Sequence, residues 1–182
     1  MFQGFSEDTI NFLWGIRLNN HRDWFLEHKQ EYLDHLYHPL KELGEELMAA
    51  MDEKYPKEGL QLKVTRIYRD VRRVKYGGLY KDHLWLVIRQ PSEEWTARPA
   101  FYFEISPEGY EYGMGYYCTP RPVMEQLRLM AAGDHPLYTA AMNAVRSSSR
   151  LVLTGEKYKR PHFPLQPAEK QDFMDRKDVC FI

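Results

Sequence analysis

Apolar residues return at three- and four-residue steps through the first third of the chain, then switch to strict alternation. Ser6 followed by Glu7 and Asp8 predicts an N-cap with acids matched to the helix dipole. Ile10, Leu13, Trp14 and Arg17 then line one side of a first helix. Asn19-Asn20 breaks it, and Asn20-His21-Arg22-Asp23 resembles a capping box for the next. Phe25, Tyr32, Leu36, Leu40, Leu43, Leu47 and Met51 make the longest periodic segment. Pro39 inside it predicts a kink or two consecutive helices. His21, His28 and His35 sit seven residues apart on the flank of that stripe. At roughly 10 Å per step they do not converge on one point, so no metal is expected there.

Leu62–Arg69 and His83–Gln90 read as strands. In the second, Leu84, Leu86 and Ile88 face one way and Trp85 and Val87 the other, the pattern of a central strand. After a polar loop bearing an exposed Trp95, Phe101, Phe103 and Ile105 alternate with Tyr102 and Glu104. Ser106-Pro107-Glu108-Gly109 predicts a longer, bulge-containing hairpin turn. Tyr110, Tyr112, Met114 and Tyr116 form the return strand, and Gly113 and Gly115 leave its other face bare for a ring, another backbone or a ligand. Helices are expected from Thr119-Pro120, from Asp134-His135-Pro136 and from Gln166-Pro167-Ala168 to about Arg176. Leu151–Leu153 and Asp178–Ile182 read as short strands. The order αα-β-ββ-αα-β-α-β predicts an α+β fold: a mainly antiparallel sheet with a central Tyr-rich hairpin, packed against N-terminal and C-terminal helices.

The 182 residues suit a single domain, 1–182, with 43% apolar and 28% charged residues. A net charge of -1 offers no field for nucleic acid or a membrane surface, and neither partner is expected. The first residues lack the basic and apolar regions of a secretory signal, and no apolar run reaches the roughly 20 residues of a membrane span. Cys118 and Cys180 match no metal or redox spacing and are expected as reduced thiols. Together these features predict a soluble cytoplasmic protein without cofactor.

Charge is concentrated at one place. The window Lys63–Lys81 carries a net +6 against -7 for the rest of the chain. On a strand, Arg66, Tyr68, Asp70 and Arg72 share one face, and Ile67, Arg69, Val71 and Arg73 the other. Guanidinium forks with a tyrosine hydroxyl between them suit a phosphate or carboxylate, and Gly77-Gly78 would let backbone come close. Lys75, Tyr80, Lys81 and His83 complete the candidate set. The spacing fits neither a P-loop nor a dinucleotide fingerprint. Against this stands an internal use: Arg22–Lys54 carries a net -5, and an acidic helix laid over the basic strand would satisfy both. Asp82-His83 has the look of a dyad, but neighbours on a strand point to opposite faces and are not expected to pair. Glu104 is a candidate general base, although the solvated face of its strand is the commoner fate.

Arg66-Ile-Tyr-Arg-Asp70 with Arg72, Lys75 and Tyr80-Lys81 resembles a bacterial and fungal family, domain of unknown function 2461. The likeness extends to Asn19-Asn20, Trp24-Phe25, the Tyr32–Pro39 helix, Tyr80–Trp85, Gly113–Tyr117 and Lys159-Arg160-Pro161, spanning essentially the whole chain. It departs at Arg73-Val74 and at Leu79, where much of the family has Phe-Ser and Pro. Family members continue into another C-terminal helix, so the resemblance implies that this chain lacks one. It implies no activity and transfers no catalytic residue.

Three function classes follow. The first is a module binding a small anion through Arg66, Tyr68, Arg69, Asp70, Arg72, Lys75, Tyr80, Lys81 and His83. The second is an enzyme on a phosphorylated or carboxylated small molecule, with Asp70, His83 or Glu104 as acid or base. The third is a structural or interaction protein with its arginines spent internally. Oligomeric state is not legible.

Overall fold

The computed structural model describes residues 1–70 and 78–182. The chain forms two compact units, Met1–Pro91 with Tyr102–Tyr112, and Ser92–Phe101 with Gly113–Ile182. Secondary structure is α+β, with one antiparallel sheet in the order β1-β2-β3-β4-β6-β5. The strands are β1 (Gln61–Val64), β2 (Leu84–Arg89), β3 (Ala100–Ser106), β4 (Gly109–Gly115), β5 (Leu153–Thr154) and β6 (Cys180–Phe181). The Tyr-rich hairpin is central, as the fold reading predicted.

In the first unit, α1 (Glu7–Leu18) and α2 (Arg22–Glu27) lead into α3 (Lys29–Glu31), a π-helical turn (Tyr32–Tyr37) and α4 (His38–Lys54). The buried face of α1 is Thr9, Phe12, Leu13 and Ile16. Trp14 stays 43% exposed with Arg17 lying 4.9 Å from its ring. Asn20 does not cap α2. His21 does, its Nδ1 accepting from the Trp24 amide at 3.4 Å, because Asn20 is engaged elsewhere.

Pro39 produces neither a simple kink nor a break. Proline has no N–H for the His35 carbonyl and its ring crowds that oxygen, and the preceding turn widens to π geometry. The orphaned His35 carbonyl accepts instead from the hydroxyl of the fully buried Thr9 at 2.6 Å. The wide turn also re-phases the apolar stripe. Tyr32, Leu36 and Leu40 are buried as predicted and Leu43 packs against them partly buried, but the next fully buried position is Gly44, and Leu47 is left 38% exposed. A Cβ on Gly44 would come within 2.9 Å of Leu62 and 3.2 Å of Leu86, so α4 lies close on the sheet.

β1 and β2 pair antiparallel with Leu62 opposite Ile88 and Val64 opposite Leu86. Leu84, Leu86 and Ile88 are buried, facing the helices with Leu36, Leu40 and Ile67. Both strands are shorter than their sequence pattern suggested. Beyond Val64 the ladder continues through single bonds, Thr65 to Trp85 at 2.9 Å and Lys81 to Ile67 at 2.8 Å. A lone bridge joins Tyr68 and Tyr80. At the hairpin tip only Pro107 and Glu108 lie between β3 and β4.

In the second unit, α5 (Arg121–Ala132), α6 (Pro136–Ser147) and α7 (Ala168–Met174) gather Met124, Ala131, Tyr138, Met142 and Phe173 into a core. β6 lies between β4 and β5. Gly115 explains part of the bare face read in the sequence: a Cβ there would sit 2.5 Å from the Cys180 Cα. Its guest is backbone. Buried Asp175 accepts from the His162 and Phe163 amides at 2.7 and 3.2 Å, fixing the loop before α7.

Replacing Thr9 by Val keeps shape and removes the donor from a half-buried carbonyl. Urea unfolding should show a loss of roughly 1–3 kcal/mol, the range for an unsatisfied buried acceptor.

Candidate functional site

The basic window lies in the first unit, on the segment after β1 and the segment entering β2. Alternation holds across it: Ile67 is fully buried, while Arg66 and Tyr68 point outward. Tyr80 packs in the core at 4% exposure, stacked on Phe25 at 4.3 Å. Its ring is therefore part of the core rather than of the exposed cation face. Its backbone is clamped by Asn20, whose side-chain N–H donates to the Tyr80 carbonyl and whose oxygen accepts from the Tyr80 amide, both at 2.9 Å. This amide pair copies a strand neighbour. It also explains Gly78, since a Cβ there would lie 1.9 Å from the Asn20 oxygen. That glycine makes room for Asn20. Gly77, Arg72 and Lys75 lie outside the described residues.

Arg69 turns away from Arg66. Its Nε donates to the Tyr80 carbonyl at 2.7 Å and its Nη2 lies 3.5 Å from Asp82 Oδ1. Asp70 is exposed and engaged. Tyr68 is 54% exposed, its ring edge-on to Phe25. Lys81 donates to the Arg66 carbonyl at 2.7 Å, and its ammonium lies 4.3 Å above the Trp85 ring. Burial pulls the Lys81 pKa down, and the crowding cations Arg66, Arg69 and Lys63 pull it further. Among the described residues no carboxylate pairs with Lys63, Arg66 or Lys81. Among the described residues no acid of Arg22–Lys54 pairs with Lys63, Arg66, Arg69 or Lys81.

Asp82 and His83 do pair, contrary to the alternation argument: His83 Nδ1 is 3.0 Å from Asp82 Oδ1. β2 starts only at Leu84, so both residues precede the pleat and escape its alternation. Asp82 also accepts from Arg17 Nε at 2.6 Å, while the other Arg17 nitrogens hold Glu108, one at 3.0 Å. Burial acts to raise the Asp82 pKa, yet the hydrogen bonds from Arg17 and His83 outweigh it and hold the carboxyl below the ordinary range. His83 stacks on Trp85 with ring centres 5.4 Å apart.

Glu104, on the central hairpin, is half-buried. Burial raises its pKa, with Glu111 and Asp82 adding and His83 opposing. Its neighbours Ser106, Glu108, Tyr110 and Glu111 line a cleft of about 230 Å³ with it. The hairpin rings Tyr110 and Tyr112 are 70% and 58% exposed. Among the described residues no helix is long and apolar enough to cross a membrane. None of their His, Cys, Asp and Glu side chains gather in a group of three or more able to hold a metal.

Over residues 8–182 the chain matches the family described as conserved hypothetical protein (DUF2461). It belongs to that family. Neither a curated protein nor a solved structure matches it. In this DUF2461 chain the structure thus joins Arg69, Lys81 and His83 into one neighbourhood with Arg66, and moves Tyr80 to the core. The sequence pattern did not select Arg17, Asp82 and Trp85 as site residues. The Asp82-His83 dipeptide was the available signal for Asp82, the distance in sequence hid Arg17, and Trp85 read as a strand residue.

For a carboxyl with a raised native pKa, the folded state keeps a proton that the unfolded state has lost. Stability therefore falls as pH rises from the ordinary 4.5 through the raised value of Glu104. Glu104→Gln should be more stable than wild type at pH 7, with the gap closing below pH 4, read by urea melts at both.

Proposed function

We propose that this chain binds a small anionic ligand, phosphate or carboxylate, through Arg66, Lys81 and Lys63. The observation carrying this reading is the cation group around Lys81. An ammonium held below its ordinary 10.5 by burial and by three cations is in an unfavourable field that a bound anion relieves. Arg66 brings a planar fork of donors, Lys63 a mobile charge from β1, and exposed Tyr68 a hydroxyl from the Arg66 face. Arg69 is already committed to Asp82 and serves as scaffold. Arg72 and Lys75 remain in the proposal by sequence alone. Cys118 and Cys180 stand at no metal or redox spacing, which suits a reducing compartment, and we place the protein in the cytoplasm.

A second reading, an enzyme on a phosphorylated or carboxylated small molecule, is favoured by the Asp82–His83 hydrogen bond beside Glu104. An oriented imidazole and a carboxyl held above its usual range form a complementary base and acid. Turnover of p-nitrophenyl phosphate or p-nitrophenyl acetate that disappears in Glu104→Gln would support it, and inert wild type with both esters would set it aside.

Binding itself is tested by thermal shift with inorganic phosphate and with succinate. At a hundred times Kd a ligand stabilises by about 2.7 kcal/mol, which raises Tm by roughly 5–10 °C for a chain of this size. Arg66→Ala should weaken binding about tenfold, the loss of one charge-assisted hydrogen bond. A wild type that no anion stabilises overturns the reading.

A further inference from the structure

Three features around Trp85 go beyond a general affinity for anions. First, the Asp82 carboxylate takes donors on both oxygens, Arg17 at 2.6 Å and, on the other, Arg69 at 3.5 Å and His83 Nδ1 at 3.0 Å. An ionised carboxylate only accepts, so in that contact His83 Nδ1 must carry the hydrogen. In the neutral ring Nε2 is then an acceptor. Second, His83 is about a third exposed, and Nε2 meets no hydrogen-bond partner among the described residues. Third, the imidazole and the Lys81 ammonium lie against the same indole, at 5.4 and 4.3 Å from its centre. They are no further apart than those two distances laid end to end, within the span of a small metabolite.

A ligand atom beside Nε2 must therefore donate. A second phosphate or carboxylate oxygen would face a lone pair. An ammonium would meet Lys81, Arg66, Arg69 and Lys63, which crowd this place. A hydroxyl meets neither objection.

Resting on the anion-binding reading above, we propose that the ligand is a small hydroxylated anion whose hydroxyl donates to His83 Nε2 while its charged group sits on Lys81 and Arg66. Asp82 is the positioning residue that fixes the imidazole. Trp85 is the platform between the two groups. The shared chemistry is an anionic group with a hydroxyl a few bonds away, carried by a sugar-phosphate type of molecule or by a hydroxy acid.

The test compares matched pairs by calorimetry on the full chain at pH 8.5, above the ordinary histidine range of about 6.5. Glycerol 3-phosphate is set against n-propyl phosphate, and glycerate against propionate. In whichever pair binds, the hydroxylated member should bind roughly three- to tenfold tighter, the worth of one hydrogen bond. That pair also identifies the charged group. The advantage should vanish in His83→Phe, which keeps a ring against Trp85, while the affinity of the plain anion stays. Equal affinities within the pairs would overturn this inference and leave the anion reading standing. No binding by any of the four would overturn both. Should His83→Phe not fold, nitrogen-15 shifts of wild type decide. Nε2 must be the unprotonated nitrogen and must move with glycerol 3-phosphate or glycerate, and a hydrogen on Nε2 refutes the assignment.

Discussion

The first unit depends on one half-buried carboxylate. Asp82 gathers Arg17 from the last turn of α1, Arg69 from the stretch beyond β1 and His83 from the entry to β2. These segments are distant in sequence and share no continuous ladder. The hydrogen bonds from Arg17 and His83 explain why the charged form survives partial burial. They also constrain direction, because a carboxylate cannot donate. Everything bonded to it must present hydrogen, and that requirement sets the imidazole tautomer and turns Arg69 away from Arg66.

The cations that remain form a second, unbalanced arrangement. Lys81 is tethered to the Arg66 carbonyl and lies on Trp85, so it cannot swing away from its like-charged neighbours as a free surface lysine would. Indole offers the ammonium a weak attraction of its own. Such a tether lowers the ordering cost of receiving an anion, since the side chain has already surrendered its freedom. Asn20 contributes from beneath. By bonding both backbone groups of Tyr80, it fixes the residue just before Lys81.

Much of the architecture was legible in the sequence. The alternation of Leu84 to Ile88, the hairpin centred on Pro107-Glu108 and the helix starts of α5 and α6 at Thr119-Pro120 and Asp134-His135-Pro136 depend on local steric preference, and each appeared where expected. The misreadings share a cause, which is that tertiary geometry altered a periodicity. The π turn before Pro39 rotated the helix stripe, so Gly44 joined Leu43 on the contact face and Leu47 was left out of it. The late start of β2 freed Asp82 and His83 from the pleat. At the site, composition located the basic window, but partners came from Arg17 and Asn20, more than 40 residues upstream of it. No local pattern could have named them. Tyr80 was misplaced because a tyrosine between charged residues looks the same in sequence whether its ring faces water or Phe25.

The position of β6 bears on how the second unit assembles. β5 joins the sheet only by way of β6, and β6 meets β4 some 65 residues earlier in the chain. Until that late segment slides between them, two ladders have open edges and Gly115 has nothing against its bare face. Loop closure over such a separation is slow compared with the winding of α5 to α7. Helices there should be in place first, waiting on a single insertion that zips both edges at once.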